Sequence, residues 1–179
     1  ACWREGGRLR RLGVIAIVAV VVQGVLGGMR VVLLQDTLAL IHGCLAQAFF
    51  GLICVIAFLA SRGAHRPAPA TSSTLRMLSQ MAVGLVYLQI VFGALLTHRG
   101  RLLFHLTGAV LVFVLVPMVT ARARRSGDPV AAMTARALLA GIGAQVLLGV
   151  GSYLARFSSI ALPGGQLTML VLPVAHRVM

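Results

Sequence analysis

Residues 37–60 read TLALIHGCLAQAFFGLICVIAFLA, without a single formal charge. A helix needs about 20 apolar residues to cross the hydrocarbon core of a bilayer, so this stretch is long enough to span. A membrane-barrel strand would alternate polar and apolar residues over about ten positions, and this stretch does not. In lipid, backbone polar groups must be satisfied within the segment, which leaves the α-helix. Four further stretches repeat the pattern: Leu12–Met29, Met77–Thr97, Leu102–Ala121 and Ala137–Ala155. A sixth begins between Leu167 and Val174 and stops at Met179, too soon to cross. The expected fold class is all-α. It is a polytopic membrane helix bundle of five complete transmembrane helices plus a truncated sixth, arranged as repeated hairpins.

Composition agrees. The 179 residues are 59% hydrophobic and 11% charged, with a mean hydropathy of +0.98. Soluble domains carry about 25% charge, and a globule of this size has too much surface to hide so many apolar side chains. A water-soluble enzyme, a disordered tail and an ordinary nucleic-acid-binding domain are excluded. The net charge is +13, from sixteen arginines against Glu5, Asp36 and Asp128. A pI near 11.9 suggests nucleic acid in a soluble chain, but here the arginines punctuate apolar spans and act as topology signals. Arg4, Arg8, Arg10, Arg11, Arg62, Arg66, Arg76, Arg122, Arg124, Arg125 and Arg136 fall on one side. Arg30, Arg99, Arg101 and Arg156 fall on the other. The first side is expected to be cytoplasmic, with the N-terminal end of the chain on it. Cys44 and Cys54, ten residues apart on one span, would be about 15 Å apart, too far for a disulfide, and read as packing residues. Residue 1 is alanine and the last segment is short, so the chain reads as a fragment of a longer one.

A repeat emerges once the spans are drawn. Gln-x-x-x-Gly occurs late in the first, third and fifth spans, as Gln23/Gly27, Gln89/Gly93 and Gln145/Gly149. Each is followed by a turn and a segment with an early histidine: His42, His105 and His176. If the last helix starts at Leu167, His176 lies deep; with Pro173 as its first residue, a position proline favours and the preferred reading, all three histidines lie within about two turns of the outer surface. The Gln-x-x-x-Gly motif reads as packing, because small residues allow close approach and glutamine can hydrogen-bond across helices.

Ionisable residues inside spans are expensive and point to function. Imidazoles facing one another at equal depth in a bundle are suited to ligate a haem iron. Gly43 and Ala46 beside His42, and Gly108 and Ala109 on the face of His105, leave room for a flat ligand. The plain alternative is that each histidine bonds a carbonyl or glutamine on a neighbouring helix. His65 and His98, in a loop and at a turn beside arginines, read as solvated. Arg30, Arg99, Arg101, Arg156 and Arg177 are candidate partners for carboxylates such as haem propionates, against simple snorkelling. Arg177, next to His176, is the best placed. No HExxH, CxxC, P-loop or dinucleotide fingerprint occurs, and no acidic residue lies within a span, which argues against a proton-coupled transporter.

The stretches VQGVLGGMRV (22–31), TLALIHGCLAQAFF (37–50), YLQIVFGALLTHRG (87–100), HLTGAVLVFVLV (105–116), AQVLLGVGSYLARF (144–157) and AHRVM (175–179) resemble, in order and spacing, successive parts of haem A synthase, the cytochrome oxidase assembly enzyme. The resemblance implies an eight-helix protein of two similar four-helix halves, each with one haem site. Residues 1–70 would then be the second hairpin of the N-terminal half, and 71–179 the C-terminal half, truncated in its last helix. His105 and His176 match the pair that binds haem b, with Arg177 beside it. His42 matches a catalytic-site histidine of the half where the substrate haem O is oxidised. That histidine's partner, and a nearby glutamate, belong to a helix outside this sequence. The outer-loop cysteine pair frequent in the family has no counterpart here. The implied reaction converts the C8 methyl of haem O to a formyl group by successive hydroxylations. Haem O would come from a haem O synthase, and electrons from a donor the sequence does not name. The implied setting is the bacterial cytoplasmic membrane, with self-association open. The chain as given is expected to bind at most one haem through two histidines and not to turn over. The competing expectations are a b-type cytochrome that leaves its haem unmodified, and a haem-free membrane assembly protein.

Overall fold

In the computed structural model, residues 6–61, 63, 71–158 and 163–178 are described, the side chain of Val178 excepted. Among the described residues six helices follow in order: α1 (Gly6–Leu33), α2 (Asp36–Ala60), α3 (Ser73–Arg99), α4 (Leu102–Arg124), α5 (Pro129–Phe157) and α6 (Gln166–Val178). No strand occurs among the described residues. The first five helices are long and apolar enough to cross a membrane, and at most 17% of any spanning window is buried by protein. Their apolar side chains face outward. Val18, Phe50, Val83, Val110 and Leu147 are all exposed, which in water would be untenable and in lipid is the solvated state. The chain is an integral, multi-pass, all-helical membrane protein.

The helices outrun the apolar runs that announced them. Leu12–Met29 grows to Gly6–Leu33, and Ala137–Ala155 to Pro129–Phe157, because arginine continues a helix well even where the bilayer core has ended. Asp128 starts α5 by accepting from the amides of Val130 (3.2 Å) and Ala131 (3.4 Å), with Pro129 in the first turn. This is an ordinary N-cap with proline just inside it.

The last helix departs from expectation. Pro173 is not its first residue but lies inside it, since α6 begins at Gln166. Gly164 and Gly165 adopt φ of +86° and +55°, a turn that glycine makes without steric cost, and that turn sets the helix start.

Contacts divide the chain into two compact units, residues 1–70 with 84–109 and residues 71–83 with 110–179. In the first unit α1 pairs with α2 through a tight turn. Leu34 there takes φ +50° while its N–H bonds Arg30 O at 3.0 Å. Gly100 does the same after α3, with φ +67° and a 3.1 Å bond to Leu96 O. The C-terminal part of α3 joins α2 through Tyr87, whose hydroxyl donates to Cys44 O at 3.1 Å. Cys44 is buried; Cys54 is exposed and so does not pack as expected. In the second unit α5 pairs with α6, and Val116, Val119, Thr120, Ala135 and Pro173 are buried.

Candidate functional site

The Gln-x-x-x-Gly motifs and the histidines turn out to be one device. Residues four apart share a helix face, so each glutamine and glycine present a polar arm and a bare notch to the next helix. In the first hairpin, a Cβ placed on Gly27 would stand 3.2 Å from His42 Cε1, 3.7 Å from Nδ1 and 3.8 Å from Nε2. The imidazole is seated edge-on where only a hydrogen leaves space. One turn away, Gln23 Nε2 donates to the main-chain oxygen of His42 at 3.3 Å.

The second hairpin repeats this. A Cβ on Gly93 would lie 3.6 Å from both Cε1 and Nδ1 of His105. Gln89 Nε2 donates to His105 O at 3.0 Å and lies 3.1 Å from its Nδ1. In the third, a Cβ on Gly149 would be 3.1 Å from His176 Cε1, and the Gln145 backbone hydrogen-bonds the ring. Two of the turns hold two residues each and the third connection holds eight, yet each imidazole meets the glycine of the preceding helix.

Each notch also lies at a similar distance from the end of its own helix. Gly27 and Gly93 lie six residues before the ends of α1 and α3, and Gly149 eight before the end of α5. That is about 9–12 Å of helix rise. Measured along its own helix, however, His176 is the eleventh residue of α6, whereas His105 is the fourth of α4. The alignment therefore lives in the glycines, not in the first turns of the histidine helices.

All three imidazole residues are half-buried. Buried side-chain polar atoms without a hydrogen-bond partner among the described residues include Gln23 Oε1, His42 Nδ1 and Gln89 Oε1. Such atoms are costly and call for a reason, and these belong to the histidine notches. The face of His105 expected to admit a flat ligand at Gly108 is taken: a Cβ there would meet Gln89 Oε1 and come within 2.8 Å of Phe92. Phe92 in turn stacks on Phe104 at 5.8 Å. Gly43, beside His42, has open space. An apolar groove of about 160 Å³ between α1 and α2, lined by Ala19, Gln23, Ala48 and Phe49 among others, is smaller than the roughly 300–1,000 Å³ of enclosing ligand sites. A large ligand at His42 would lie along the open side of the hairpin.

His42 and His105 belong to the first unit, His176 and Arg177 to the second. Arg30, Arg101, Arg156 and Arg177 are exposed. Arg99 is engaged: its Nη2 donates to Thr37 Oγ1 at 2.7 Å. His98 is not freely solvated as expected. Its Nδ1 lies 3.6 Å from Asp36 Oδ1, and its side chain is 23% exposed. His65 lies outside the described residues.

Among the described residues no three His, Cys, Asp or Glu side chains cluster around one point. A haem iron asks less, namely one or two imidazoles from separate helices. The donor set fits that demand: half-buried imidazoles, held by glycine and glutamine, with an orphaned ring nitrogen at His42. Comparison of the chain with family models, with curated proteins and with solved structures finds no match.

Proposed function

We propose that the protein is a membrane oxidoreductase of the haem A synthase type, oxidising the C8 methyl of haem O to a formyl group for cytochrome oxidase assembly. The observation that carries the reading is the recurrence of one half-buried histidine, seated on a glycine, in each of three helical hairpins. A lone histidine in a span has many uses. Three in one repeated setting suit a repeated ligand.

In this reading His105 and His176 hold haem b and His42 holds the substrate haem O. Bound haem b supplies electron transfer to the oxidation. The protein's part is binding, orientation and exclusion of water. The glycine notches fix the height of each imidazole, and the Gln23 and Gln89 arms tie the backbones of His42 and His105 to the preceding helix. Arg177, exposed and adjacent to His176, would pair with a propionate carboxylate. The apolar spans keep water from the reacting methyl.

The test supplies haem O to membranes carrying the full-length protein, extracts the haem and separates it by chromatography. Loss of haem O with appearance of haem A supports the reading; haem O recovered unchanged, with haem b bound, overturns it. That second outcome is what a b-type electron carrier gives.

A further inference from the structure

The Gln89 amide settles where the proton of His105 sits. Its Nε2 lies 3.0 Å from the main-chain oxygen of His105 and 3.1 Å from Nδ1 of the same residue. A carbonyl oxygen only accepts, so the amide atom facing it must be the nitrogen. That same nitrogen faces Nδ1, which must then accept as well. The single proton of the neutral imidazole therefore stands on Nε2. The other amide atom, Oε1, is buried against Gly108 without a hydrogen-bond partner among the described residues. In the first hairpin the ring is not held this way, for His42 Nδ1 has no such partner.

We propose that Gln89 is a positioning residue that fixes the tautomer of His105, holding the Nε2–H form in the haem-free chain and reversing its amide when Nε2 ligates iron. The first half stands on the geometry alone; the second rests on the reading of His105 as a haem ligand. Protons balance. Nε2 gives up its proton and offers its lone pair, Nδ1 gains a proton, and the imidazole stays neutral. The amide turns over so that Oε1 accepts from Nδ1–H, as outer-shell partners of metal-bound histidines commonly do. The turn sacrifices the bond to the His105 carbonyl, because two oxygens then face each other. Gln89 thus opposes ligation before iron arrives and supports the ligand afterwards.

The experiment uses histidine-labelled protein in detergent micelles, without haem, at a pH above the ordinary histidine range. Long-range proton–nitrogen NMR correlations distinguish a protonated from a bare ring nitrogen, and His105→Gln assigns the signals. Wild type is expected to carry the His105 proton on Nε2. Gln89→Glu, which offers carboxylate oxygens to Nδ1, is expected to move it to Nδ1, and Gln89→Met to give a mixture. A merely structural role would weaken both variants without reversing the tautomer in one of them. A wild-type proton on Nδ1 overturns the proposal even if neither variant folds, as does a wild-type pattern in both variants.

A second arm measures the iron midpoint potential of haem-loaded protein. Gln89→Met, lacking the acceptor for Nδ1–H, is expected to raise it while both axial histidines remain. An unchanged potential overturns the amide reversal. Wild-type protein that takes up no haem overturns the proposed function instead, and the tautomer measurement then decides the first half by itself.

Discussion

Alanine at the three notch glycines should separate according to the space each ring leaves. Elsewhere in an exposed helix, Gly→Ala stabilises by roughly 0.5–1 kcal/mol through lost backbone entropy. At Gly149 and Gly27 the new methyl would stand 3.1 Å and 3.2 Å from a histidine Cε1, inside normal carbon–carbon contact distance of about 3.5–4.0 Å. The ring must retreat by a few tenths of an ångström, or the helices must part. Overpacking of this kind costs about 1–3 kcal/mol, leaving a net loss of about 0.5–2 kcal/mol after the propensity gain. At Gly93 the nearest ring atoms are 3.6 Å away, ordinary contact, so Gly93→Ala should be neutral or slightly stabilising. Gly24 and Gly141, with nothing within 4 Å, serve as controls and should behave like Gly93. Reversible unfolding in mixed detergent micelles reads the differences. Equal losses at Gly93 and Gly149, or a loss at Gly24 as large as at Gly27, would refute the reasoning that these glycines are seats for the imidazoles.

Leu34 holds φ +50° at 85% exposure, so Leu34→Gly should stabilise the first hairpin by about 1 kcal/mol in the same unfolding assay. Asp128→Ala removes the α5 cap and should cost about 1 kcal/mol, with a matching drop in unfolding midpoint. Gly108→Ala must displace Gln89 or Phe92 and should cost about 1–3 kcal/mol, visible also as a changed His105 ring signal in NMR. Asp36→Asn should change stability by less than about 0.5 kcal/mol, because that carboxylate is 71% exposed in its pair with His98 and exposed pairs contribute little.

The spans were legible because hydrophobic length in a bilayer is a demand on every residue of the segment at once. Their ends were less so, since the arginines flanking the first and fifth spans stop the apolar run without stopping the helix. Pro173 misled for a related reason. Proline does favour a first turn, but the two left-handed glycines before Gln166 fix the start more firmly. At the site, both halves of each notch were visible as separate signals, Gln-x-x-x-Gly on one helix and histidine on the next. Their union was not, because Gly27 to His42 spans 15 residues, Gly93 to His105 spans 12 and Gly149 to His176 spans 27. No fixed spacing encodes the pairing; antiparallel packing makes it. The closure of Gly108 was equally hidden, since a small residue announces that something comes close without saying what. Here it is Gln89 and Phe92.

The most direct measurement is the low-temperature paramagnetic resonance spectrum of ferric protein purified after haem-replete expression, with His105→Ala and His176→Ala beside the wild type. The account predicts a low-spin signal of two axial imidazoles in wild type, lost in each variant. Protein without bound haem, or a low-spin signal that survives both substitutions, would contradict it.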